Sequence, residues 1–187
     1  FVDAADKINV ALGEDLGDGA VKNVGKLAML FEEDQRLGLK QAMLATASVI
    51  NELSQNSSAG AGYLEEFTAR VAGVGKQAGL TQAQIMGFAA VLDENMQQDE
   101  TSATAFSQLI TKMYQEPAKF AALAGKDVKE FSRLLKEDAN GALIAFLGNM
   151  KAQGGFDKLA PMFEKMGLDG TRATSVLSSV ADKLGNV

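Results

Sequence analysis

Leu80 to Met113 reads LTQAQIMGFAAVLDENMQQDETSATAFSQLITKM. Its first half sets Ile85, Phe88, Ala89, Leu92 and Met96 at three- and four-residue intervals. Its second half repeats the interval with Ala103, Phe106, Ile110 and Met113. That period puts apolar side chains on one face of a helix. Thr81 and Gln84 stand at capping-box spacing just ahead of the first helix. The polar run around Asp93 to Asp99 ends it, and Asp99 or Thr101 is the expected N-cap of the second. Two such helices bury their faces only by packing on other helices.

The same period extends in both directions. Leu39, Met43, Ile50 and Leu53 form one face, and Leu64, Phe67, Val71 and Val74 another. Downstream come Val128, Phe131, Leu134 and Leu135, then Leu143, Phe146, Leu147 and Met150, then Val176, Leu177, Val180 and Leu184. Alanine, Leu, Lys, Gln, Glu and Met dominate, all good helix formers. No stretch alternates with period two, so no sheet is expected. The spacing predicts an all-α fold, an irregular multi-helix bundle of about eight to eleven ordinary helices.

Glycines and caps mark the joints. Gly79, Gly125 and Gly167 each follow an apolar stripe, where a left-handed residue closes a helix. Asp127 and Glu130 form a second capping-box pair. Pro117 fits the first turn of a short helix. Pro161 either starts a last segment or kinks a helix from Phe156 to Met166. The phrases QAGLTQAQI, LAGKDVKEF and KMGLDGTRA resemble one another, and are read as similar helix–helix turns rather than a repeat. The run SQNSSAGAG, Ser54 to Gly62, is the one plausible internal linker. The expected division is therefore a helical arm, residues 1–58, and a compact helical core module, residues 59–187. The arm's apolar face packs on the core or on a second copy. Without an initiator Met, the chain reads as a piece of a longer protein or as a processed one.

Composition removes whole classes of chemistry. The 187 residues include no His, Cys or Trp. Disulfides are impossible, and the common zinc, copper and haem sites lack ligands. Mechanisms built on a histidine base or cysteine nucleophile are excluded. A net charge of −6 and a pI near 4.8 argue against nucleic acid. No apolar run approaches the roughly 20 residues of a membrane span, and no basic patch suits an anionic membrane. FVDAADKINV is no secretory signal.

Three local patterns imitate sites. GVGKQ around Lys76 glances at a phosphate loop, but Arg70 stands where glycine is needed and Gln77 where Ser or Thr is. Asp93, Asn95, Gln97 and Asp99 have calcium-loop spacing, but Gln98 and Thr104 occupy the glycine and glutamate positions. The acid clusters Glu14–Asp15, Glu32–Glu33–Asp34, Glu65–Glu66 and Asp93–Glu94 are read as solvated faces, since neighbouring acids on a helix diverge. The methionines are read as core filling. No catalytic, cofactor-binding or metal-binding residue is nominated.

Taken in order, the phrases are similar to the core region of the phage tail tape measure protein family. Ile50-Asn51-Glu52-Leu53 precedes a polar linker, and a helix ends in Arg70-Val71-Ala72. Ala78-Gly79-Leu80-Thr81 opens the next, and Glu100 to Met113 ends in LITKM. VKEFSRLL, GALIAFLGNM and MGLDGTRATSVLSSV follow. The resemblance runs best from Val49 to Val180. VALGEDLGD and KLAMLF are similar to the region ahead of that core. The chain departs from the family at NMQQD, usually glycine-bearing, and at Lys126, usually small or apolar.

The resemblance implies a non-enzymatic structural protein of the virion, from a phage or a prophage. Such chains run inside the growing tail tube and set its length. The implied partners are tail tube proteins and tail assembly chaperones, with self-association through apolar helix faces. The implied location is the virion tail, and the bacterial host cytoplasm during assembly. No nucleic acid and no membrane contact is expected of this segment. The alternative reading is a helical protein-binding adaptor or an assembly-chaperone-like module.

Overall fold

The computed structural model describes residues 2–93, 98–153, 161, 163–165, 167–168 and 176. Among them all regular structure is helical. The α-helices are α1 (Val2–Leu16), α2 (Ala20–Leu30), α3 (Glu33–Leu37), α4 (Leu39–Asn56), α5 (Ala61–Gln77), α6 (Gln82–Asp93), α7 (Asp99–Gln115), α8 (Pro117–Leu123), α9 (Val128–Glu137) and α10 (Ala139–Gln153), with a 3-10 turn at Gly17–Gly19.

α5 and α7 form the most extensive helix pair, and α6 packs beside them. α6 is apolar all round, as a central helix must be. Ile85, Met86 and the consecutive residues Phe88 to Leu92 are all buried. The one-faced reading of this stretch was too narrow for that reason. Phe106 joins three helices: its ring lies 5.8 Å from Phe67 on α5 and 4.8 Å from Phe88 on α6. α8, α9 and α10 pack on one another, with Phe120 and Phe146 5.1 Å apart. Gly75 lets α6 approach closely, since a Cβ there would stand 2.5 Å from Ile85 Cδ1.

The helices before residue 58 lie on the rest of the chain. α4 packs against α5 and α6, and α1 and α2 also reach α5. One continuous apolar core runs from Ile8 through Phe67 and Phe146 to Val176. The junction is tighter than the expected linker. α4 continues to Asn56 and α5 starts at Ala61, because Ser57 Oγ and N both bond the Leu53 carbonyl and close the helix there.

The joints follow the cap chemistry. Thr81 N–H donates to Gln84 Oε1 at 3.0 Å while Gln84 N–H donates to Thr81 Oγ1 at 3.2 Å, a complete capping box. Asp127 makes only half of one. Its carboxylate accepts from the N–H groups of Lys129 and Glu130, but Glu130 turns to Lys126 Nζ at 2.8 Å instead of back to the cap. Gly79, Gly125 and Gly167 all have positive φ. After each, the next N–H bonds the carbonyl five residues back: Leu80 to Gly75, Lys126 to Ala121, Leu168 to Phe163. These are Schellman closures. The helix before the first turn has 17 residues and that before the second has 7, which speaks against a repeat. Pro117 opens α8 at N1.

Several residues differ from the reading. Val128 and Leu39 are 43% and 40% exposed, because each is the first residue of its helix and lies beyond the packed stripe. Gln98, rather than Asp99 or Thr101, is the N-cap of α7, with no side-chain cap bond. Met96, Leu177, Val180, Leu184 and most of Phe156 to Met166 lie outside the described residues.

Candidate functional site

The GVGKQ imitation is helix, and Glu94, like Asn95 and Gln97 of the calcium-like pattern, lies outside the described residues. Lys76 sits in the last turn of α5, so GVGKQ is helix and cradles nothing; its Nζ lies 2.5 Å from Glu32 Oε1. Asp93 closes α6 and Asp99 opens α7. Asp99 is engaged by Arg70 Nε at 3.2 Å. Burial pushes the Asp93 carboxyl above its ordinary value, and a hydrogen bond from the Gly60 backbone offsets part of this. Glu33 pairs with Arg36 on its own helix, and Glu66 lies 3.9 Å from Arg70. Among the described residues no group of three acids, His or Cys converges as a metal site.

A groove of about 630 Å³ runs along α5 and α7. Arg70, Glu100, Thr104, Ser107, Thr111, Lys112 and Gly167 are among the residues that line it. The helix period explains the lining. Glu100, Thr104, Ser107 and Thr111 are the outward stripe of α7, opposite buried Ala103, Phe106 and Ile110. Their chemistry is spent locally. Thr104 donates to the Glu100 carbonyl at 2.8 Å and Thr111 to the Ser107 carbonyl at 2.9 Å. The Arg70 guanidinium faces Glu66, Asp99 and Glu100, so its charge is already met.

A second polar cluster sits where α5, α6 and α7 meet. Tyr63 is half-buried and Ser102 fully buried. Burial pushes the Tyr63 phenol up to about 12, and the charges of Asp93 and Asp99 add to it. The neighbouring Ser102 hydroxyl offsets this only in part, since neither oxygen reaches a well-formed hydrogen bond.

Two polar contacts were not visible in the sequence. Gln82 Nε2 on α6 donates to Thr46 Oγ1 on α4 at 2.9 Å, and both residues are buried. Tyr114 Oη lies 3.0 Å from the Ala78 carbonyl and 2.9 Å from the Leu135 carbonyl, clasping the ends of α5 and α9. Each pairs residues at least 21 positions apart, which no local pattern reveals. Among the described residues no helix is long and apolar enough to cross a membrane. The chain matches no family model, no curated protein and no solved structure.

Proposed function

We propose that the chain is a non-enzymatic structural module of a phage tail tape measure protein, contributing to tail assembly and tail length. The observation that carries this reading is the ordered series of helix and turn phrases from Val49 to Val180, which resembles that family's core region. The chemistry is consistent with it. A chain without His or Cys, with a groove in which Arg70, Thr104 and Thr111 are held by their neighbours, is suited to holding other polypeptides. The partners on this reading are tail tube subunits and assembly chaperones.

The alternative, a helical adaptor or chaperone-like module, draws on one feature. Met29, Leu30, Leu37 and Leu39 are exposed together around α3. Co-expression with the tail tube protein and assembly chaperones encoded beside it tests the proposal. Co-purification with either supports it; failure to bind both, with capture of a cytosolic host protein through the α3 region, favours the adaptor. A turbidity assay on cell walls stays flat if the module is non-enzymatic, and lysis overturns that part.

A further inference from the structure

Four unusual features meet at one joint, the turn from α2 through α3 to α4. Glu32 adopts φ 56° and is the one non-glycine residue with positive φ among the described residues. A left-handed conformation crowds the Cβ of an L-residue against the following carbonyl. Six residues on, Gly38 has φ 77° and ψ 147°, a region essentially reserved for glycine. Between them, α3 buries no residue, and Asp34 Oδ1 is shielded from solvent without a hydrogen-bond partner. Around them Met29, Leu30, Leu37 and Leu39 are left exposed.

The sequence across this joint is otherwise good helix. Ala20 to Asn56 contains no proline. If Glu32 and Gly38 relax to ordinary helical angles, α2, α3 and α4 become one helix roughly 55 Å long. Opening alone would strip Val24, Leu27 and Ala28 of α2 from the core. A second copy restores those contacts, because α1 and α2 of one chain fit the α4–α5 surface of the other as they fit their own. Leu30, Leu37 and Leu44 are seven residues apart, so the straightened helix carries them on one stripe. Two such helices have an apolar seam where they cross.

We propose that the Glu32–Gly38 joint is a domain-swapping hinge, and that the partner it recruits is a second copy of this chain, exchanging α1 and α2. The swapped dimer restores the core contacts of α1 and α2, frees Glu32 and Gly38 of their positive φ and covers the exposed leucines. This inference stands independently of the tail-assembly reading.

Opposite substitutions at the two ends of the hinge test it, by light scattering after annealing from urea at high concentration. Gly38→Ala penalises the closed angles and favours the continuous helix. Each dimer holds two hinges, so dimerisation should strengthen at least about tenfold. Glu32→Gly relieves the closed form and weakens the open helix, so dimerisation should weaken by a similar factor. Two differently tagged Gly38→Ala dimers should exchange subunits only slowly, and faster in mild urea, since a swap must open to exchange. The proposal is overturned if the parent and Gly38→Ala are both monomers after annealing, or if the dimer exchanges within minutes in buffer. If Gly38→Ala does not fold, the parent and Glu32→Gly decide: a parent dimer that Glu32→Gly reduces supports the hinge, and equal association of the two overturns it.

Discussion

Replacing Thr46 by Val should be far more damaging than replacing its partner Gln82 by Met. The two side chains meet inside the α4–α6 contact, at 0% and 6% exposure, with Nε2 to Oγ1 at 2.9 Å. Removing the threonine hydroxyl strands an amide donor and acceptor away from water, which costs about 2 kcal/mol. Removing the glutamine leaves a hydroxyl that has another outlet. Thr68, also fully buried, donates to the carbonyl four residues back, Leu64, at 2.6 Å. Thr46 has the Ala42 carbonyl at the same offset. Gln82→Met should therefore cost under about 0.5 kcal/mol, and the double variant should resemble it. In thermal unfolding followed by far-UV circular dichroism, Thr46→Val should lower Tm by about 4–8 °C for a chain of this size. The double variant should recover most of that. Equal single losses that simply add would refute the reasoning, since two groups in contact must couple.

Asp93→Asn should raise Tm at neutral pH. Burial lifts the native carboxyl above 3.8, so the native state holds its proton more tightly than the unfolded chain. Stability is therefore lost as pH rises through the carboxylate range, and the gain from Asn should vanish below pH 3.8. Tyr63→Phe should be neutral or stabilising at pH 7, because the hydroxyl it removes is buried without a good partner. It should also flatten the loss of stability between the ordinary phenol value of 10.0 and about 12, where only the unfolded tyrosine ionises. Tyr114→Phe should cost about 1 kcal/mol by urea titration, one net hydrogen bond. Hydrogen exchange should rise at the C-terminal ends of α5 and α9 together, since the hydroxyl clasps both.

The helices were legible because their signals are local. Thr81 and Gln84 bond each other as their spacing requires, and Gly79, Gly125 and Gly167 close helices with Schellman bonds. Pro117 starts a helix where its missing donor is not needed. What was illegible depends on the third dimension. Nothing around Glu32 announces a left-handed turn, since glycine or asparagine would be the usual marker. The α4–α6 contact brings Thr46 to Gln82, and the α7 packing brings Tyr114 to Leu135, by tertiary geometry alone. GVGKQ has the letters of a loop, but Arg70 and Gln77 break the phosphate-loop pattern and the segment is helix, with Gly75 against Ile85. In the groove, the Arg70 guanidinium and the Thr104 and Thr111 hydroxyls are held by neighbours, pairings that come from helix spacing and from the α5–α7 contact.

The central claim, that this chain is a structural part of a tail ruler, is tested most directly in the parent phage. Residues 59–187 are deleted in frame and tail lengths are measured by electron microscopy. A helix laid along the tube would take away roughly 190 Å at 1.5 Å per residue. A compact body of that length has a radius of gyration of about 14 Å and spans about 35–40 Å. The account predicts uniform tails shortened by about the smaller figure. Uniform tails of unchanged length would contradict it.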